Sequence, residues 1–160
     1  QHGGRAVSSS RLRELISAGD VAEAARLSTA AYRITGTVVT GARRGATLGF
    51  PTANLAEIAT LLPGQGVYAA VAELPTGARH AAAVHIGPNA SFGGTDVSVE
   101  AHLVGYAGDL YGSRLDVDFL ARLRDTRRFA TVEDLTSQLA DDVALAARIA
   151  ASHLTSAARI

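Results

Sequence analysis

The 160-residue chain contains no cysteine and no lysine. Without cysteine there are no disulfides and no thiolate metal sites, and the redox compartment is left open. Without lysine the phosphate-binding lysine of a P-loop is missing, and every fixed side-chain cation is an arginine. Aromatics are few, at 5% of residues, and methionine is absent even at position 1. No apolar run is long enough to span a bilayer, and Gln1 to Asp20 lacks the apolar stretch of a signal peptide. Fifteen basic and fifteen acidic residues balance, so no overall field recruits nucleic acid or a membrane surface. These absences leave a cytoplasmic protein of ordinary single-domain length. With 48% apolar residues it has enough to close a core without staples.

The most informative stretch is Gly49-Phe50-Pro51-Thr52-Ala53-Asn54, just after the glycine-containing run Gly41 to Leu48. Glycines let a loop approach an anion closely, Pro51 stiffens the exit, and Thr52 and Asn54 carry oxygen-bearing side chains two residues apart. Magnesium takes oxygen ligands and shares them with substrate phosphates, so this pattern suits a nucleotide–metal complex. A plain turn into or out of a strand would use the same residues, and both readings stand at this point.

Along the chain, residues 1–7 read as a flexible lead. Serines 8–10 precede Leu12, Leu15 and Ile16, predicting a short helix that ends near Gly19. Asp20 with Glu23 starts a second helix, reaching about Ala30. After Tyr32 the period shortens toward two, predicting strands at 32–40, 66–74, 79–87, 96–105 and 114–121. In Val97-Ser98-Val99-Glu100-Ala101-His102-Leu103 the apolar set faces one way, and Ser98, Glu100 and His102 face the other. The tight Pro75-Thr76-Gly77 link favours an antiparallel meander, and five or six such strands closing on themselves make a small barrel. From Thr131 the pattern is helical again, with Val132, Leu135, Leu139, Val143 and Ala147 as the predicted apolar stripe to about Ala151 or beyond.

The order of motifs is specific. After the Gly-Phe-Pro-Thr-Ala-Asn stretch come Pro63-Gly64-Gln65-Gly66-Val67-Tyr68-Ala69, Ile86-Gly87-Pro88-Asn89-Ala90-Ser91-Phe92, Val99-Glu100, Asp109-Leu110-Tyr111-Gly112, and Leu123-Arg124 with Phe129. Over residues 31 to 150 this succession resembles the riboflavin kinase family, the kinase module of bacterial bifunctional riboflavin kinase and FAD synthetase proteins. The resemblance implies a mainly β fold: a six-stranded antiparallel Greek-key barrel with short N-terminal helices and a long C-terminal helix. It also implies an ATP- and magnesium-dependent kinase that makes FMN from riboflavin. Residues 7–13, Val-Ser-Ser-Ser-Arg-Leu-Arg, resemble the end of the adenylyltransferase module of those proteins. Residues 1–30 are therefore expected to be a lead-in left from such a module, fused upstream in the full-length protein, and residues 31–160 the kinase domain. The adenylyltransferase HxGH-type motif is missing, so this chain is expected not to adenylylate FMN.

Carried onto this sequence, the resemblance assigns Gly41, Gly45, Thr47, Gly49, Pro51, Thr52 and Asn54 to ATP and its phosphates, with Thr52 and Asn54 holding Mg2+. It makes Glu100 the general base, a role that also suits a carboxylate held on a rigid strand near an alcohol. Taken alone, a lone glutamate on a polar strand face is ordinarily solvated. Arg124 is assigned to charge stabilisation and flavin contact, and Thr126 and Phe129 to flavin. A loop carrying Arg122, Arg124, Arg127 and Arg128 is expected to be mobile when empty. His102 and Tyr111 are read as structural. Departures from the family pattern are Ala46 after Gly45, Ala90-Ser91 where Pro-Thr is common, and Arg127 where an acid is usual, so altered turnover is expected. A non-catalytic flavin or nucleotide module, or a kinase for a riboflavin analogue, remains an alternative from sequence.

Overall fold

In the computed structural model, residues 8–41, 43–88 and 96–156 are described. The predicted lead at 1–7 and the Asn89-Ala90-Ser91-Phe92 motif lie outside them. Helix α1 (Ser9–Ala18) is capped by Ser8, whose side chain accepts from the Arg11 amide, and it ends at Gly19 in the left-handed conformation (φ 83°). Helix α2 (Val21–Ser28) is capped by Asp20 through the Glu23 amide at 3.2 Å. Val21 projects from α2 into the barrel interior with no exposure.

Six strands follow: β1 (Tyr32–Val39), β2 (Ala53–Ala56), β3 (Gly66–Glu73), β4 (Arg79–Pro88), β5 (Val97–Leu103) and β6 (Arg114–Arg124). A single-turn helix, α3 (Arg44–Thr47), lies between β1 and β2, and α4 (Val132–Ser156) closes the chain. The strands form a closed barrel in the order β1-β2-β5-β4-β3-β6, antiparallel at every pairing. The fold predicted from sequence is present, with two elements the periodicity did not predict, β2 and α3. Both are four residues long. So short a run has no readable period, and an isolated helical turn is unstable until tertiary contacts hold it.

Alternation along each strand sends one set of side chains inward. Tyr68, Val84, Ile86, Leu115, Val117 and Phe119 are fully buried there, with Tyr68 and Phe119 edge-to-face at 5.2 Å between ring centroids. Such a pair adds about 0.5–1.5 kcal/mol beyond the area it buries. The Tyr68 hydroxyl donates to the Gly64 carbonyl, which satisfies its polar end.

The outer face of β3 and β4 is covered by α4. Ala69, Val71 and Ala81 lie beneath Ala146 and Ala150, and small side chains on both surfaces let helix and sheet approach closely. Of the predicted stripe of α4, Val132 is exposed while Leu135, Leu139, Val143 and Ala147 are half-buried; the fully buried positions are Asp142, Ala146 and Ala150, an acid among them.

Strand β6 runs three residues beyond its predicted end at 121. Register shifts in its pairing with β3 fall between Val67 and Tyr68 and between Ala69 and Ala70, so the alternation that marks a strand in sequence is broken there.

Candidate functional site

The strand registers place four candidate groups in one row on the outer face of the barrel. Asn54 of β2 is opposite Glu100 of β5, Glu100 is opposite His85 of β4, His85 is opposite Val67 of β3, and Val67 is opposite Arg124 at the end of β6. Directly opposed residues share a face, with Cβ atoms about 4.5–5.5 Å apart. Residues far apart in sequence therefore become immediate neighbours, with Glu100 between an amide on one side and an imidazole on the other.

On the Asn54 side a cleft of about 660 Å³ opens between the end of β1, the start of β2 and residues 103–111. Gly41, Arg43, Pro51, Thr52, Asn54, Asp109 and Tyr111 are among the residues that line it. Thr52 and Asn54 thus face one space. The Asn54 amide lies so close to Gly41 that a Cβ there would fall 2.0 Å from Asn54 Nδ2, so position 41 must be glycine for Asn54 to sit as it does. Gly45 likewise abuts the Phe50 carbonyl, where a Cβ would fall at 2.3 Å, and its own carbonyl accepts from the Phe50 amide at 2.8 Å.

Gly45, Thr47 and Gly49 shape the turn around α3 rather than line the cleft. The Thr47 hydroxyl is spent on the Arg44 carbonyl at 2.8 Å. His102 holds the Phe50–Thr52 segment to β5: its Nδ1 is 2.7 Å from the Pro51 carbonyl oxygen and its ring meets Phe50 edge-on at 5.7 Å. Tyr111 is 67% exposed at the cleft rim, with its amide donating to Asp109 Oδ1 at 2.9 Å.

The other flank of Glu100 is built on α4. Arg124 Nε lies 3.1 Å from both carboxylate oxygens of Asp142, and Nη2 lies 2.8 Å from Oδ2. Asp142 is only 4% exposed and takes a further hydrogen bond from Gln138 at 2.9 Å. Arg124 also donates to the Asp125 carbonyl at 3.0 Å. Arg124 therefore ends a strand and is gripped from the helix, instead of riding on a loop of mutually repelling arginines. Its neighbours are also engaged: Arg122 pairs with Asp125 at 2.6 Å and donates to the Gln65 carbonyl, while Arg127 lies over the Phe129 ring at 4.6 Å. Arg124 stands over the same ring at 5.7 Å, so Phe129 carries two guanidinium contacts.

Thr126 approaches the His85 side of the row; its Cγ2 would lie 3.5 Å from a Cβ placed on Gly87. The His85 ring occupies the same place, 2.7 Å from that Cβ position at Cε1. Burial pushes the His85 imidazole below its ordinary 6.5, with Glu100 and Asp142 pulling it up and Arg124 pushing it down.

Three members of this site were not singled out from sequence as functional. Asp142 carried a signal, a carboxylate inside an apolar stripe. His85 alternates with Val84 and Ile86 in β4, and nothing in that pattern marks it apart from any outward polar residue. Arg43 was not singled out at all; it lines the cleft with its backbone in the left-handed conformation (φ 53°).

Known proteins are similar to this chain in sequence and in fold. The sequence profile of the riboflavin kinase family matches residues 28–150. A bifunctional riboflavin kinase/FMN adenylyltransferase of Pseudomonas fluorescens is 36% identical over 149 residues, covering 92% of this chain and 48% of that protein. The chain spans under half the length of the curated relatives it matches most strongly. Among solved structures, one named as a macrolide-efflux protein from Streptococcus pneumoniae superimposes with a TM-score of 0.79 at 36% identity, over 85% of this chain and 45% of that one. A riboflavin kinase from Trypanosoma brucei shares the fold, with a TM-score of 0.51 at 22% identity over 74% of this chain and 76% of that one. With the profile spanning every strand of the barrel and most of α4, the chain belongs to the riboflavin kinase family.

Proposed function

We propose that this barrel phosphorylates riboflavin, transferring the γ-phosphoryl group of ATP to the 5′-hydroxyl to give FMN and ADP. The observation that carries the reading is the Asn54–Glu100–His85 register, which sets a carboxylate directly beside Asn54, a residue of the cleft wall, with an imidazole on its other side. The cleft takes the nucleotide. Gly41 and the turn through Gly45, Thr47 and Gly49 fold over the phosphates, and Pro51 fixes the approach of Thr52.

The Thr52 hydroxyl and the Asn54 amide oxygen fit a magnesium ion: both are hard oxygen donors on one cleft wall, and phosphate oxygens complete such a shell. The ion would neutralise charge on the β- and γ-phosphates. Among the described residues there is no cluster of carboxylates or histidines that would offer a competing site.

Glu100 accepts the 5′-hydroxyl proton as that oxygen bonds to the γ-phosphorus and the bond to the bridging oxygen breaks, releasing ADP. Arg124, aimed by Asp142, offers charge to the transferring group, and Thr126 and Phe129 border the flavin. No helix among the described residues is long and apolar enough to cross a membrane. Fusion to an upstream adenylyltransferase module is supported by the bifunctional relatives. The test is direct: the purified chain with riboflavin and magnesium–ATP yields FMN and ADP in equal amounts. No FMN above the enzyme-free control overturns the proposal.

A further inference from the structure

His85 is half-buried, and its ring nitrogens hydrogen-bond to no described residue. The ring nitrogens are not buried from solvent, so a ligand's hydroxyls can take the place of water on a ring that stands beside the base. Its position says which substrate. The phosphate-binding groups lie on the Asn54 side of Glu100, so the alcohol that Glu100 deprotonates has to come from the opposite side. That side is bounded by His85, by Gly87 beneath its ring, by Thr126, and by the Arg124–Asp142 pair. Gly87 is itself constrained: any Cβ there would strike the imidazole at Cε1 and Nε2, at 2.7 and 2.8 Å, so the absence of a side chain leaves room for the ring.

We propose that His85 is a specificity-determining residue of the acceptor site, hydrogen-bonding the hydroxyls of a polyol chain next to the hydroxyl that is phosphorylated. The assignment rests on the kinase reading above and deepens it. Kept neutral by its partly buried position, the imidazole offers one N–H donor and one ring-nitrogen acceptor. Each chain hydroxyl is likewise both donor and acceptor, so the two match without a buried charge. Glu100 on β5, Arg124 on β6 and Asp142 on α4 are the charged groups around the ring, while Val67 on β3 presents none. A polyol chain laid across His85 would bring its terminal hydroxyl to Glu100, one strand away.

The experiment compares two flavins, riboflavin and an isoalloxazine carrying a 5-hydroxypentyl chain, which keeps the reacting hydroxyl and lacks the others. Binding is read by quenching of flavin fluorescence with magnesium–ADP present, so it does not depend on turnover. The wild type binds riboflavin more tightly than the hydroxypentyl flavin. His85→Leu weakens riboflavin by about 3- to 10-fold, the range of a lost hydrogen bond, and changes the hydroxypentyl flavin by less than about 2-fold. His85→Asn, which keeps a donor and an acceptor, retains most of the preference for riboflavin. Equal weakening of both flavins, no weakening of either, or Leu and Asn variants that behave alike would each overturn the assignment. A wild-type protein that binds neither flavin overturns the kinase reading itself, an outcome separable from loss of the preference alone.

Discussion

The two flanks of Glu100 are made of different materials. Toward β1 and β2 stand a four-residue strand and glycines whose missing Cβ atoms let Asn54 and Phe50 sit where they do, with a single helical turn nearby that does not itself line the cleft. Toward β4 and β6 it consists of strands of ten and eleven residues, backed by a 25-residue helix that holds Arg124 through the buried Asp142. The first flank is adaptable backbone suited to wrapping a polyphosphate. The second is a braced frame that fixes a cation and a ring beside the base. Substitutions on the first should change ligand affinity with little change in stability, and substitutions on the second should change stability as well.

The largest effect is expected where the flanks meet. Glu100→Gln keeps the shape of the side chain and removes the proton acceptor, so turnover should fall by about two to four orders of magnitude while both substrates still bind. FMN formation within a few-fold of wild type in that variant would sink the assignment of Glu100.

Next comes the braced flank. Asp142→Ala strands Arg124 without its partner in a largely buried position, and breaking such a pair costs about 3–5 kcal/mol. Denaturant unfolding should show this, and catalysis should fall in the fraction that remains folded. A stability change below about 1 kcal/mol would mean that Arg124 is not braced from α4.

On the adaptable flank, Thr52→Ala combined with Asn54→Ala should weaken magnesium–ADP by about 100-fold or more, since several charge-assisted contacts go together. The melting temperature should move by only a few degrees. Calorimetry that found the affinity intact would move the phosphate site elsewhere.

The smallest effect concerns pH. Burial holds the folded-state pKa of His85 below its ordinary 6.5, so between those two values the unfolded chain binds more protons than the folded one. Stability is therefore lost as pH falls from about 6.5 toward the folded value, and below the folded value it loses no more from this group. His85→Asn should flatten that part of the stability curve. An unchanged slope would show that the ring is solvated in the folded state.

The barrel was largely legible because alternation in Val97–Leu103 and its counterparts is a local property, readable wherever a strand is long enough to repeat. Caps at Ser8 and Asp20 were legible for the same reason, since each bond spans three residues. Thr52, Asn54 and Glu100 were singled out through their oxygen atoms and their place in a motif, and the fold puts Thr52 and Asn54 on one cleft wall and Asn54 opposite Glu100. Two of the four arginines expected on a loop lie on β6 instead, and each has an acid beside it: Arg122 pairs with Asp125, and Arg124 with Asp142, which lies fourteen residues beyond Arg128 on another element.

By itself the sequence determined the types and order of the longer elements, though not of the four-residue β2 and α3, and the chemical kind of each candidate group, because helix and strand periods and side-chain chemistry are written residue by residue. Only the tertiary structure decided which groups meet. Barrel closure set β2 against β5 and β5 against β4, and this put Asn54, Glu100 and His85 in one row. The packing of α4 on the sheet brought Asp142 to Arg124, an ion pair whose strength depends on burial that no local pattern encodes.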